Sequence, residues 1–244
     1  MSTVYAESTG NWDDMYGAEA DATTATARNN TNYQFANALI PSLLCQHSVA
    51  FGSTYIYRSF LSFDLSGQSG TCTEAVLSLR FNVDVTSGFV TSKGTTIYVC
   101  KVNTSESGFL TSGIYNDLDG WVSSGSYDGN VPNYGTMAKS GTSAETVTLT
   151  LNSDGLSAVN SAVGSGRFQI ALLTSDDYLS NIGTDGLGDP DGYSGTIQTE
   201  GVSIASMENT TASNRPQLEL TLEVEEGEEA DWSTFNATFF GSNF

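Results

Sequence analysis

The chain has 244 residues, enough to bury a sizeable core in one β-rich domain or two small ones. Its formal net charge of −20 comes from 28 acidic residues set against only eight Lys and Arg, and so few cations argue strongly against nucleic acid, whose phosphates need clustered Lys and Arg to displace counterions. Charged residues make up 15% and aromatics 11%, with Gly, Ser, Thr and Asn abundant and only four Pro, a mixture that predicts short strands joined by polar turns.

The opening stretch, "MSTVYAESTGNWDDMYG", holds neither the basic nor the apolar region of a secretory signal. No apolar run approaches the roughly 18 residues that a membrane-crossing helix needs. The expectation is a soluble chain made in a cytoplasm without a signal peptide, with no membrane partner. Next comes "PSLLCQH", whose His47 is the single histidine, so any Ser-His-acid or Cys-His arrangement would have to use it. Neither a G-x-S-x-G elbow nor an H-E-x-x-H pair accompanies it, and it reads as an ordinary strand or loop residue. Cys45, Cys72 and Cys100 are odd in number and contain no C-x-x-C, so at least one thiol is unpaired within a monomer. Cys100, in "TIYVCKV", reads as buried and reduced, and scattered thiols with one histidine offer no zinc spacing.

Period-two alternation recurs with turn signals between the runs, the pattern of a sandwich rather than of βαβ units. "YIYRSFLSFDL" places Tyr57, Leu61, Phe63 and Leu65 toward one face, and "AVLSLRFNVDV" does the same with Leu77, Leu79, Phe81, Val83 and Val85. Farther on, "ETVTLTL" offers Val147, Leu149 and Leu151, "RFQIALL" offers Phe168, Ile170 and Leu172, and "PQLELTL" offers Leu218, Leu220 and Leu222. One segment, "NSDGLSAVNSAVGSG", breaks the period with Leu156, Val159 and Val163 at helical spacing, which predicts a short helix capped by Ser153 or Asp154 and stopped by Gly164.

"YRSFLSFDLS" followed by "EAVLSLRF", then "VTLTLNSDGLSAVNSAVGSGRFQIALLTS" and the closing "NRPQLELTL", resemble in order and spacing the DNRLRE-type β-sandwich domains, relatives of carbohydrate-binding jelly rolls. The resemblance spans roughly Tyr55 to Leu222. It implies an all-β jelly-roll β-sandwich with one short helix and long loops. It also implies a framework role for Arg58, Phe63 and Asp64 in the early strand and for Arg215 and Pro216 in the last: an Arg and an Asp tying strand ends, with Phe in the core. A shared fold of this kind hosts many functions and does not by itself assign one.

The long polar loops hold the remaining candidates. Asp117 and Asp119 in "NDLDGW", and Asp185, Asp189 and Asp191 in "TDGLGDPDGYSG", alternate hard oxygen ligands with Gly in a way that could wrap calcium, although neither loop has the EF-hand spacing and Asp and Gly are also default turn residues. No other cofactor is expected. Tyr115, Trp121, Tyr127, Tyr134, Tyr178 and Tyr193 lie in or beside loops, where they could stack on the rings of a polysaccharide or cap the ends of the sandwich with their hydroxyls outward. Paired carboxylates of a glycosidase or polysaccharide lyase leave no signature in sequence spacing, and the lyase strand motifs combining Arg, Gln-x-His and Tyr-x-Lys are missing.

The chain closes on "EVEEGEEADWSTFNATFFGSNF", so residues 1–224 form the sandwich and residues 225–244 an acidic linker with an aromatic tail. Glu223, Glu225, Glu226, Glu228, Glu229 and Asp231 repel one another and favour an extended spacer. Trp232, Phe235, Phe239, Phe240 and Phe244 follow, and burying each is worth about 1.5–3 kcal/mol. The expectation is a non-enzymatic structural subunit at the outer surface of a bacteriophage virion, a head decoration (cement) protein docking on capsid or other virion subunits and on its own copies as a homo-oligomer, a trimer by analogy with other jelly-roll decoration proteins. The alternatives are a carbohydrate-binding module or receptor-binding adhesin, and, third, a polysaccharide lyase or glycosidase.

Overall fold

Strands that alternate apolar and polar side chains need a second layer to cover the apolar face, and this chain supplies it by folding one antiparallel sheet over on itself. The computed structural model describes residues 1–7, 15–21, 34–36, 42–50, 53–84, 96–103, 118, 131–139, 143–179 and 198–223. Its strands are β1 (Ser2–Tyr5), β2 (Met15–Asp21), β3 (Gln34–Ala36), β4 (Ser42–Ala50), β5 (Ser53–Asp64), β6 (Thr71–Asp84), β7 (Thr96–Lys101), β8 (Asn133–Ala138), β9 (Glu145–Thr150), β10 (Arg167–Thr174), β11 (Gln198–Ala205) and β12 (Gln217–Glu223). Helix α1 (Ser153–Ala162) joins β9 to β10, helix α2 (Ser175–Leu179) follows β10, and a 3-10 turn (Ala212–Asn214) precedes β12.

The hydrogen-bonded path runs β1-β12-β6-β11-β4-β5-β10-β7-β8, with β9 added to β6 and with β2 joining β5 to β3. Long strands make the fold-over. Along β6, residues 71–78 pair with β12, while Phe81 and Asp84 pair with β11. Along β5, residues 53–57 pair with β4 and residues 59–64 with β10. At its start β4 pairs with β11 alone and from Gln46 onward with both β11 and β5, so it turns the corner between the two layers. The result is an all-β, sandwich-like fold.

Inside it one cluster joins Leu61, Phe63 and Leu65 of the β5 segment, Leu77, Leu79 and Phe81 of β6, Phe168, Ile170 and Leu172 of β10, and Leu218 and Leu220 of β12, with Leu151, as the alternation predicts. Val147, Leu149 and Leu222 pack on it partly buried. Tyr57 is half-buried and stands outside the cluster, and the Val83 side chain and Val85 lie outside the described residues.

The second face of β5, β10 and β7 is also covered. Phe60, Cys100, Ala171 and Leu173 form a second cluster with Val102, Leu118, Val131 and Tyr178 of α2. From Ile170 to Thr174 every residue of β10 is buried, so "IALLT" is read correctly only as a strand between two layers.

Helix α1 has the predicted position and a different cap. Asn152, not Ser153 or Asp154, caps it: in extended backbone its Oδ1 accepts from the Gly155 N–H at 3.0 Å, and its Nδ2 donates to the Asn133 carbonyl at 2.8 Å. That second bond ties the cap to β8, which neither neighbour does. The helix stops where expected, at Gly164 with φ +77°. Gly155 is needed for contact: a Cβ there would stand 2.9 Å from the Cβ atoms of both Tyr134 and Leu151.

Candidate functional site

The close approach of α1 to β8 leaves a cleft beside the helix. Asp154, Ser157, Ala158 and Ser161, at helical spacing, form one wall, and their small side chains leave room for a cleft of about 580 Å3. Lys101, Val102 and Pro132 face them, with Arg167 and Gln169 of β10 beside Tyr134 and Phe168. The last two are nearly fully buried and lie with ring centroids 5.6 Å apart. Both border the cleft, but as members of the main cluster they present almost no ring surface to it.

Arg167 is held in place. Its Nε donates to Glu7 Oε2 at 2.9 Å and its Nη2 to Glu7 Oε1 at 3.3 Å, with Asp64 Oδ2 at 3.8 Å. Glu7 Oε2 also accepts from Ser62 Oγ at 2.7 Å, and the Glu7 N–H donates to the Ser62 carbonyl at 2.8 Å. Glu7 thus ties the segment just after β1 to β5 and orients the guanidinium. Asp64 accepts from the Ser66 N–H at 2.9 Å, and the hydrogen bonds from Ser66, with Arg167 nearby, hold its carboxyl below the usual carboxylate range.

A second constellation sits under α2. Arg58 Nε and Nη2 donate to Asp177 Oδ2 and Oδ1 at 2.6 and 2.9 Å, and both side chains are at most 1% exposed. This bidentate pair fastens α2 to β5. Beside it, the Tyr178 hydroxyl donates to the Val131 carbonyl at 2.6 Å and accepts from Asn133 Nδ2 at 2.9 Å, while its ring stacks on Tyr98 with centroids 3.9 Å apart. Burial pushes the Tyr178 hydroxyl pKa up. Burial first, then the Asp177 charge, pushes the thiols of Cys45 and Cys100 well above their ordinary value. A thiol held protonated is a poor nucleophile, so these sulfurs serve packing. Cys45, Cys72 and Cys100 are all free and buried.

The residues expected from sequence are distributed as follows. Phe63 is in the core, and Pro216 is buried with its carbonyl accepting from the Ala6 N–H at 3.2 Å. Arg215 Nε donates to the Asn209 carbonyl at 2.9 Å, closing the turn before β12. Arg58 reaches Asp177, and Asp64 serves the Ser66 turn and Arg167. Tyr134 and Tyr178, at 2% and 5% exposed, offer no ring face for a sugar to stack on; apolar burial has taken both into the two clusters. His47 lies in β4 opposite Ile56 and Glu200.

Tyr115, Trp121, Tyr127 and Tyr193, the acids Asp117, Asp119, Asp185, Asp189 and Asp191, and the tail residues Trp232, Phe235, Phe239, Phe240 and Phe244 lie outside the described residues. Among the described residues no group of three or more His, Cys, Asp or Glu could hold a metal ion, and no helix is long and apolar enough to cross a membrane.

Sequence reasoning missed Glu7, Lys101, Arg167 and Asp177. For the cations a signal existed: with eight Lys and Arg in the whole chain, each one at a strand end is informative. Compared with protein-family models the chain matches none, and no curated protein matches it.

Proposed function

We propose that the protein is a non-enzymatic structural subunit of a virus particle, a bacteriophage head decoration protein whose sandwich is a jelly roll and whose C-terminal segment docks on neighbouring capsid subunits. One observation carries the reading. Leu218 and Leu220 of β12 are fully buried in the main cluster, and that strand ends at Glu223. After it the sequence turns acidic and then supplies five large aromatics within residues 225–244. Aromatic side chains in that number, following an acidic run, are suited to burial against a partner.

The charge of −20 supports an outward-facing position, since it opposes packaged DNA. The groups that the fold buries most deeply also support a structural role. Arg58 and Asp177 satisfy each other, and the neighbouring thiols are held protonated.

The test is mass measurement of native particles containing this chain. A fixed stoichiometry with a capsid protein is the expected result. A chain that is recovered only free of particles, or in variable amounts per particle, overturns the assignment.

A further inference from the structure

The hydrogen-bonded path of the sheet has two ends, β1 and β8, and they are finished differently. Strand β8 is tied to the start of α1: the Asn152 N–H donates to the Tyr134 carbonyl at 3.0 Å, and Asn152 Nδ2 donates to the Asn133 carbonyl at 2.8 Å. Strand β1 pairs with β12 alone among the described residues. An open strand edge is a template for another strand, and proteins guard it with charge, Pro, a bulge or brevity. The sequence of β1 is Ser-Thr-Val-Tyr in unbroken register, so brevity is its one guard.

The direction of its backbone groups follows from one bond. The Ala6 N–H donates to the Pro216 carbonyl at 3.2 Å, in the register that sets Val4 opposite Leu218 and Ser2 opposite Leu220. Along an antiparallel pair, alternate residues turn both N–H and C=O to the neighbour. Ser2, Val4 and Ala6 therefore serve β12, and Thr3 and Tyr5 turn theirs to the open edge. Their side chains are exposed as well: Tyr5, at 43%, is one of three exposed large hydrophobics among the described residues. Val4 is half-buried and packs on the main cluster.

These features match a second copy of the same strand. Two β1 strands set antiparallel about an axis through Val4 place Thr3 of each opposite Tyr5 of the other. Both are hydrogen-bonding positions, so the contact satisfies all four groups on each open edge. On the outer face an aromatic meets a β-branched side chain, a favourable cross-strand pair. At the axis Val4 meets its own counterpart at a non-hydrogen-bonded position, where facing side chains come closest, and each covers the other. The strand carries no charge, and Glu7, the first acid after it, is engaged by Arg167 and Ser62. We infer that the protein pairs with a second copy of itself through β1, joining two sheets into one across a two-fold axis. The same patch serves both partners, so the contact closes on itself as a dimer. It uses neither the cleft nor residues 225–244.

Sedimentation velocity of the full chain over a concentration series tests the inference, and a monomer–dimer equilibrium is the expected result. Added salt should shift it toward dimer, because two copies of net charge −20 repel one another until screened. Thr3→Pro removes a donor from the open edge and none from the ladder with β12, so it should weaken the dimer at least tenfold with the circular dichroism spectrum unchanged. Should Thr3→Pro fail to fold, Thr3→Lys, at an exposed position, sets a like charge on both edges and takes its place. Val4→Cys reads the register: facing residues at a non-hydrogen-bonded pair lie about 4.5 Å apart between Cα atoms, within disulfide reach, so mild oxidation should yield a covalent dimer. A full chain that stays monomeric throughout, a dimer indifferent to the substitution at Thr3, or a Val4→Cys chain that cross-links no more than wild type overturns the inference.

Discussion

Arg58 is among the largest fully buried side chains, and its charge constrains everything around it. Withdrawing a guanidinium and a carboxylate from water costs several kcal/mol per ion, which only close, bidentate geometry offsets. Removing one partner leaves the other charge stranded. Asp177→Ala should therefore lose about 3–5 kcal/mol in urea unfolding, and the double variant Arg58→Met/Asp177→Leu should lose less. A single variant that unfolds at the wild-type midpoint would show that the pair contributes nothing. Nearby, burial and the Asp177 carboxylate raise the pKa of Cys45 and Cys100. A raised folded-state value means that the stabilisation is fully present below the unfolded thiol's pKa of about 8.5 and is lost as pH climbs toward the folded value. Stability should fall above about pH 9 by up to roughly 1.4 kcal/mol per pH unit per thiol, and Cys45→Ala with Cys100→Ala should flatten that slope. An alkaline limb with the same slope in the double variant would refute the assignment. Arg58 was legible in the sequence as a framework residue, but its partner was not. Asp177 lies 119 residues away in "TSDDYL", where an acid among Ser and Asp reads as a turn.

Among the elements, legibility follows how many faces are buried. Strands β6, β9 and β12 alternate because one face meets the core and the other is more open, and their inward residues could be taken directly from the sequence, whereas β5 is buried on both faces from Arg58 to Phe63. Strand β10 lost two of its five core residues to that rule, since Ala171 and Leu173 serve the second cluster. Strand β11 was missed because "QTEGVSIA" contains Gly201, which the fold requires: its φ is +154°, and a Cβ there would overlap the Cβ of Gln46 on the paired strand β4. Gly201→Ala should cost at least the 1–3 kcal/mol or so typical of overpacking, read as a lowered urea midpoint. A midpoint within error of wild type would mean that β4 and β11 are not so closely apposed. Helix α1 was legible from its spacing, but its cap depended on the bond from Asn152 to β8. Asn152→Ala should destabilise by about 1 kcal/mol, more than Ser153→Ala, and equal effects would remove Asn152 from the capping role.

At the scale of the whole molecule, the last alternating segment read from the sequence, Gln217 to Leu222, is β12, which pairs along β6 from Ser78 to Thr71. The cleft, by contrast, was invisible in the sequence: it needs Lys101, Arg167 and α1, which lie far apart along the chain and meet only through the sheet order. Truncation after Val224 separates the two halves of the argument. Leu218 and Leu220 remain, so the truncated chain should keep a cooperative melt and a mostly β circular dichroism spectrum, while docking on particles fails. Replacing Trp232, Phe235, Phe239 and Phe240 together by Ser should reproduce the defect if apolar burial drives docking. If the acids contribute, binding should also weaken between low and high salt, as screening shortens the reach of charge. A truncated chain that docks with full affinity would remove the segment from function altogether. One that unfolds would show that residues 225–244 belong to the core of their own sandwich, because only a segment buried within the fold can take its stability with it when it leaves.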